Sequence, residues 1–439
     1  MSDDLASFDA VAYINEPRWH AMSLGLDRIK ELLKRLGDPQ DSLCFVHVAG
    51  TNGKGSTSAM MASVLCAAGY KTGLFTSPYI ERFEERIRVD GHLISSEDLR
   101  QVTWQVHEQA EAMTEHPTEF ELMTAVAFTY FAQQHCDIVV AEVGMGGRLD
   151  STNVIKTVEV SLIAPIALDH CKFLGNTLPE IAAEKAGIIK PGVPVISAVQ
   201  DESVYPVLEE VAAQHQAPFV MVHAQDVQGT SSDFSYKTIH HIKLALVGSY
   251  QRFNAALALE GCFALRARGW NIPDRALIQG LSEVRWPGRF EIVAHNPEII
   301  IDGAHNPHAA HQLAAELSQR YPLRHIIFVM GVMEDKDHRR MLADLLPLAK
   351  ALYCYTCPVP RAMDARSLAS EALQVLAEID LPEHSMGCMV QACGAAAKAV
   401  DAALCYAGEH DVVCLCGSLY GIGPVKDALR QHGIACEHL

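Results

Sequence analysis

Short apolar runs alternate with helical stretches along nearly the whole chain, and that rhythm admits few architectures. A short apolar strand followed by an amphipathic helix, repeated, is the pattern of a mostly parallel sheet covered by helices. Residues 43–48 read as a buried strand, followed by a glycine-rich turn and a helix over about 54–68. Residues 71–76, 137–143, 158–164, 193–198 and 219–222 read as further strands. Helices are expected over 96–115, 119–135, 251–268 and 273–284. Residues 234–247 alternate with period two, which fits a hairpin better than a crossover unit. Around Trp286-Pro287-Gly288-Arg289 the rhythm breaks and then restarts. Strands are expected at 298–302, 324–330, 351–356 and 411–416, separated by helices from Pro307, Asp337, Ala365, Ala392 and Gly421. A chain of 439 residues exceeds one ordinary core. The break is therefore read as a boundary between an α/β domain over 1–287 and a smaller α/β domain over 288–439.

Composition narrows the class. Apolar residues make up 49% and charged residues 20%, an ordinary globular balance. No apolar run approaches the length of a membrane span. The start, Met1-Ser2-Asp3-Asp4, is acidic and no apolar signal region follows it, so a soluble, unexported protein is expected. Thirteen cysteines, an odd number without regular spacing, read as reduced thiols of the cytoplasm. Cys354-x-x-Cys357 lacks the second pair that a zinc site needs. The formal charge of −18 argues against nucleic acid as a partner. It also means that any anionic ligand must be held by local donors against an unfavourable overall field.

One segment supplies such donors. Ala49-Gly50-Thr51-Asn52-Gly53-Lys54-Gly55-Ser56-Thr57 lies directly after an apolar strand and directly before a helix. Glycines let backbone N–H groups approach a phosphate chain closely, and the helix N-terminus adds its dipole. Lys54 would reach the β- and γ-phosphates, and a hydroxyl just downstream would hold Mg²⁺. The spacing departs from the strict Walker pattern: Gly50 is only three residues before Gly53, and Gly55 separates Lys54 from Ser56. Glu142, at the end of the apolar strand 137–143, is placed to reach the same magnesium. Asp169-His170, followed by Glu184-Lys185, offers further metal ligands or, in Lys185, a cation, a base or a carbamylated ligand. Asp302 and His305 stand where a strand runs into a helix capped by Asn306 and opened by Pro307, as loops at parallel strand ends form crevices. Arg289 lies in the break between domains, where it could pair with a phosphate, and Asn254 sits on the first turn of a helix, where it could reach a base.

Taken together these segments resemble folylpolyglutamate synthase and the bifunctional dihydrofolate synthase/folylpolyglutamate synthase, within the Mur ligase superfamily. The similarity runs from Leu24-Gly25-Leu26-Asp27-Arg28-Ile29 through the His47 to Ser56 segment, Thr76-Ser77-Pro78-Tyr79 with Glu85-Arg86-Ile87, and Glu142 to Asn153. It continues through Asp169-His170, Ala183-Glu184-Lys185-Ala186-Gly187, Asp302 to Pro307, and Cys416-Gly417-Ser418-Leu419-Tyr420. Two departures stand out: Tyr79 where the family usually has His, and Ser151 where Ala is common.

The resemblance implies a P-loop domain followed by a Rossmann-like domain similar to dihydrofolate reductase. It implies ATP-dependent ligation of L-glutamate to a folate, and to dihydropteroate as well, through an acyl phosphate. Thr51, Asn52, Gly53, Lys54, Gly55, Ser56, Thr57, Asn254, Arg289, Asp302 and His305 would contact the nucleotide. Ser56 and Glu142 would hold one Mg²⁺, His170 and a carbamylated Lys185 a second, with K⁺ as a further candidate ion. Lys54, Lys185 and His170 would be catalytic. Thr76, Ser77, Pro78, Tyr79, Arg86, Asp150 and Ser418 would meet the folate or glutamate. A monomer is expected. Competing readings are a Mur-type ligase acting on a non-folate carboxylate, a nucleotide-switched regulatory module, and a phosphotransferase whose acceptor keeps the phosphate.

Overall fold

Strand β1 (Phe45–Ala49) is buried at every position, as its unbroken apolar run requires. It lies inside an eight-stranded sheet with β2 (Thr72–Phe75), β3 (Ile87–Val89), β4 (His92–Leu93), β5 (Ile138–Glu142), β6 (Val158–Ile163), β7 (Val195–Ser197) and β8 (Phe219–Met221). The order is β4-β3-β2-β5-β1-β6-β7-β8, parallel except for the antiparallel β2–β3 and β3–β4 pairs. β1 thus sits between β5 and β6, with Val48 opposite Glu142 and Ala49 opposite Ile163. This register places the carboxyl ends of three strands side by side, although β1 ends at Ala49 and the other two only at Glu142 and Ile163. The computed structural model describes residues 3–16, 25–322, 324–379 and 387–436. Leu24, where the family resemblance begins, and Met1-Ser2 lie outside them.

The helix Lys54–Ala67 buries ten of its positions and has almost no polar face, which fits an element covered on all sides. The helices Gln251–Ala267 and Asp274–Glu283 pack on it. Gly280 permits the closest approach, because a Cβ there would stand 2.5 Å from the Cα of Val64. On the other face Phe45, Phe75, Phe128 and Phe131 share a core with the helix Glu119–Gln133. That helix opens on a reciprocal cap between Thr118 and Glu121. Full burial of one such ring stabilises the fold by roughly 1.5–3 kcal/mol.

Three short antiparallel strands follow: β9 (Val227–Thr230), β10 (Asp233–Tyr236) and β11 (Ile239–Ile242). The hairpin expected over 234–247 is β10–β11, with β9 added on its other side and the chain leaving the ladder after Ile242.

A second sheet has the order β12-β13-β17-β14-β15-β16. Its strands are β12 (Glu291–His295), β13 (Glu298–Ile301), β14 (Ile326–Met330), β15 (Ala349–Tyr355), β16 (Met389–Gly394) and β17 (Val412–Cys416). All pairs are parallel except β12–β13. The helix expected from Ala392 is corrected here. Ala392 pairs with Cys354 inside β16, and the helix begins at Ala396, after Gly394 turns the chain with a φ of +77°. Small residues carry little pattern, and pairing with β15 decides their conformation.

The chain divides into two compact units, Met1–Ala245 with Gln251–Arg285, and Leu246–Tyr250 with Trp286–Leu439. The pentapeptide Leu246–Tyr250 therefore belongs with the second unit, not with the residues around it in sequence. The Ser249 amide donates to Glu316 Oε2 at 2.7 Å, and the Tyr250 hydroxyl donates to Asp302 Oδ2 at 3.2 Å. Among the described residues no helix is long and apolar enough to cross a membrane. All thirteen cysteines are free thiols.

Candidate functional site

In the first unit the loop between β1 and the helix Lys54–Ala67 gathers side chains from four places in the sequence. Gly53 caps the helix in the left-handed region, with a φ of +81°. The first helical bond runs from the Thr57 amide to the Gly53 carbonyl, so the amides of the preceding turn lack an intrahelical acceptor. Thr51 and Asn52 are tied down through their backbone. Their amides donate to the Pro165 carbonyl at 2.8 and 3.1 Å, which anchors the loop to the end of β6. The cradle for an anion is then the stretch Gly53 to Ser56.

Lys54 Nζ lies 3.9 Å from Glu142 Oε1 and donates to the Thr51 carbonyl at 3.3 Å. Glu142, buried at the end of β5, accepts from the Ser77 amide at 3.4 Å, which draws the Thr76 to Tyr79 loop to the same place. Ser56 Oγ accepts from Gln251 Nε2 at 3.3 Å. A serine hydroxyl and a carboxylate are hard oxygen donors of the kind Mg²⁺ takes alongside phosphate oxygens and water. Among the described residues there is no cluster of three or more His, Cys, Asp or Glu side chains placed to hold a metal ion.

Lys185 is almost wholly buried and donates to the Gly50 carbonyl at 2.7 Å. Burial, then the nearby Lys54 charge, push its pKa down to about 7, while Asp169 and Asp150 oppose the shift. That shift makes its neutral amine easier to reach, and a neutral amine is the form that adds CO₂. His170 adopts a φ of +50° at the start of the short helix Cys171–Leu174, with its ring nitrogen Nε2 4.0 Å from Asp169 Oδ1.

Several expected contacts have other occupations. Asp150 is buried and accepts from the Met145 amide at 3.0 Å, the Thr152 amide at 3.0 Å and the Thr152 hydroxyl at 2.6 Å. Its carboxylate organises its own loop, and burial raises its pKa. Thr57 is fully buried, and its hydroxyl has no hydrogen-bond partner among the described residues. Tyr79 packs against Phe83, and the Arg86 guanidinium lies 5.0 Å over the Tyr79 ring and 3.9 Å from Glu119. Asn254 lies against Gly53 of the loop. It donates to Gln251 Oε1 at 2.9 Å, and a Cβ on Gly53 would overlap its side-chain oxygen. Gln251 had no sequence signal; only its place one helical turn before Asn254 brings it to Ser56.

In the sequence His47 carries no signal beyond its place in the segment that leads into the loop. Its Nε2 lies 2.8 Å from Thr152 Oγ1, whose single proton goes to Asp150, so Nε2 carries the hydrogen. Burial, then Lys190, push the imidazole down to about 3. The chain His47–Thr152–Asp150 ties β1 to the loop that follows Glu142.

In the second unit β13 and β17 are neighbours, so the turns after them meet. The Asp302 amide donates to the Leu415 carbonyl and the Gly417 amide to the Ala304 carbonyl, both at 2.9 Å. Asp302 is buried, which raises its pKa, and it accepts from the Phe290 and Ala304 amides at 2.8 Å as well as from Tyr250. It is a bracket for its own turn more than an outward-facing ligand. His305 Nδ1 lies 2.8 Å from the Gly303 carbonyl, and Asn306 caps the helix Pro307–Arg320 by accepting from the Ala309 amide at 3.0 Å. Ser418 accepts from the Tyr420 amide at 3.2 Å.

Residues 48–261 match the Mur ligase middle domain and residues 288–419 the Mur ligase glutamate ligase domain. The dihydrofolate synthase/folylpolyglutamate synthase of Bacillus subtilis (strain 168) is 38% identical over 438 residues, covering 96% of this chain and 99% of that protein. The chain belongs to the dihydrofolate synthase/folylpolyglutamate synthase family. The Escherichia coli (strain K12) member is 33% identical over 434 residues, with 96% of each chain covered. The structure of E. coli FolC in complex with DHPP and ADP superposes with a TM-score of 0.87 at 31% identity, covering 98% of this chain and 99% of that one. The bifunctional enzyme with Mn, AMPPNP and L-glutamate bound is similar at a TM-score of 0.84 and 30% identity, over 97% and 99% of the two chains. Members of this family are amide-forming ligases that consume ATP, so the α/β fold, the phosphate loop and the family agree on one class of chemistry.

Proposed function

We propose that this chain joins L-glutamate to the terminal carboxylate of a folate, and to dihydropteroate as well, in the cytoplasm. The observation that carries the reading is the convergence of Lys54, Glu142 and Lys185 on the loop from Gly50 to Ser56. A cation, a carboxylate and a buried lysine able to take up CO₂, around one helix N-terminus, suit the handling of a triphosphate with its metal ions. The domain roles follow: 1–287 for the ATP phosphates and the acceptor, 288–439 for glutamate and, through Arg289, for the nucleotide.

A carboxylate resists attack by an amine because its charge and resonance make it a poor electrophile. Phosphoryl transfer converts it to an acyl phosphate with a good leaving group. Lys54 and the amides of Gly53 to Ser56 stabilise charge on the transferring oxygens. Ser56 and Glu142 would hold Mg²⁺, with His170 and a carbamylated Lys185 attending a second ion. When bound, the metal supplies Lewis-acid stabilisation of phosphoryl oxygens. Asp150 and His47 keep the loop after Glu142 in register with β1, and Gln251 with Asn254 support the phosphate loop from behind. Thr76 to Tyr79 and Arg86 lie on the acceptor side, held near Glu142 through the Ser77 amide.

Dihydropteroate and a folate both end a pterin–aminobenzoyl body in a carboxylate, so one centre can serve both if the body binds in two registers. Purified enzyme incubated with ATP, glutamate and either acceptor should yield products that gain a glutamyl mass, with ADP released. A product that gains phosphate mass would make the enzyme a phosphotransferase. Extension of a reduced folate with no ADP and no dihydrofolate from dihydropteroate would remove the second activity.

A further inference from the structure

The second unit contains a fully buried lysine that the proposed chemistry does not use. Lys426 lies in the helix Ile422–Gln431, which follows the Ser418 turn. Fully buried lysines are rare, because the ammonium loses water and must be repaid by a fixed partner. Here Nζ donates to Glu291 Oε1 at 2.9 Å. The other oxygen of that carboxylate accepts from the Gly288 amide at 2.7 Å. The Gly288 carbonyl in turn accepts from Arg289 Nη1 at 2.9 Å and from the Gly303 amide at 2.8 Å.

This chain of bonds surrounds one residue. Gly288 and Phe290, on either side of Arg289, both have positive φ, +69° and +48°. A bulky residue such as Phe adopts that conformation only when its surroundings impose it. Two carboxylates impose it here: Glu291 on the amide before Arg289, and Asp302 on the amide after it, at 2.8 Å. Asp302 is held by its own turn, whereas Glu291 begins an edge strand and is oriented by Lys426.

We infer that Lys426 is a positioning residue: through Glu291 and the Gly288 amide it sets the direction of the Arg289 guanidinium, and it ties that guanidinium to the Ser418 turn. The inference rests on the proposal that Arg289 contacts the nucleotide. Its chemistry is that of a rigid tether, since an arginine pointed at a phosphate is effective only when its rotamers are few.

The test uses the whole enzyme and the variants Lys426→Met, Lys426→Arg, Glu291→Gln and Arg289→Ala, with thermal unfolding alongside kinetics. Lys426→Met should lower kcat/KM for ATP about tenfold while leaving the KM for glutamate within about twofold. Lys426→Arg, which keeps the ion pair, should recover most of that loss. In the Arg289→Ala background, Lys426→Met should cost less than about twofold, because the residue acts through an arginine no longer present. Glu291→Gln keeps the side-chain volume and should show the same loss, which carries the test if Lys426→Met does not fold. A lowered unfolding midpoint with unchanged kcat/KM in the folded enzyme would overturn the inference. So would a loss that multiplies fully with Arg289→Ala. Full activity in Arg289→Ala alone would instead overturn the nucleotide role of Arg289.

Discussion

Replacing Gly53 by alanine tests how the phosphate loop is held. Gly53 has a φ of +81°, where a Cβ costs about 1–2 kcal/mol. The new methyl group would also overlap Asn254 Oδ1. Asn254 is buried and donates to Gln251, which donates to Ser56, so its amide can move aside only by giving up a hydrogen bond of about 1 kcal/mol. The stiffer unfolded chain offsets about 0.5–1 kcal/mol. A net loss of about 2 kcal/mol is expected from the shift in urea midpoint. Displacement of the neighbouring Lys54 should reduce glutamate-dependent ADP release about 10²-fold. Asn254→Ala should cost about 1 kcal/mol by leaving Gln251 Oε1 without its donor. The double variant should then fall short of the sum by about 1 kcal/mol, since the overlap is gone. Gly53→Ala within about 0.5 kcal/mol of the parent, or strict additivity with Asn254→Ala, would refute this account of the loop.

Three further outcomes follow from the same geometry. Lys54→Ala should lose about 10²–10³ in turnover, roughly 3–4 kcal/mol of transition-state stabilisation, with an unchanged circular dichroism spectrum; near-normal ADP release would remove the loop from the mechanism. His47 has a folded pKa of about 3 against 6.5 for the unperturbed group, so the unfolded chain binds the extra proton between those values. Its contribution is present above 6.5 and is lost as pH falls towards 3, at up to about 1.4 kcal/mol per pH unit. His47→Gln should therefore flatten the dependence of the urea midpoint on pH between about 6 and 5, and an unchanged slope would contradict the buried neutral imidazole. Lys185→Ala should lose activity that short carboxylic acids partly restore, and mass spectrometry of the parent under CO₂ should find an added carboxyl group; no rescue and no adduct would leave Lys185 as a simple cation.

Much of this site was legible because it is made of backbone requirements. Glycines at 50 and 53, a lysine opening a helix and an acid closing an apolar strand declare themselves locally, since each answers a local demand of phosphate or strand end. Residues whose role depends on a partner far along the chain did not declare themselves. Asn254 looks like any polar residue on a first helical turn until it is seen to back Gly53. Asp150 and Asp302 look like ligands, yet both spend their oxygens on nearby amides. Buried carboxylates must be satisfied, and which groups satisfy them is a matter of packing.

By itself the amino-acid sequence determined the α/β class, the two-part organisation and the glycine turn from β1 into the helix that opens at Lys54, because hydrophobic period, glycine placement and helix starts act over a few residues. It also carried enough long motifs, in order, to point to the family. Tertiary structure alone decided that β1 lies between β5 and β6, so that Lys54, Glu142 and Lys185 share one loop. It decided that Leu246–Tyr250 belongs with the second unit, and that Lys426 is buried against Glu291. Strand order and the pairing of buried charges depend on contacts between residues about a hundred positions apart, and no local propensity encodes which of many compatible pairings lets every buried polar group find a partner.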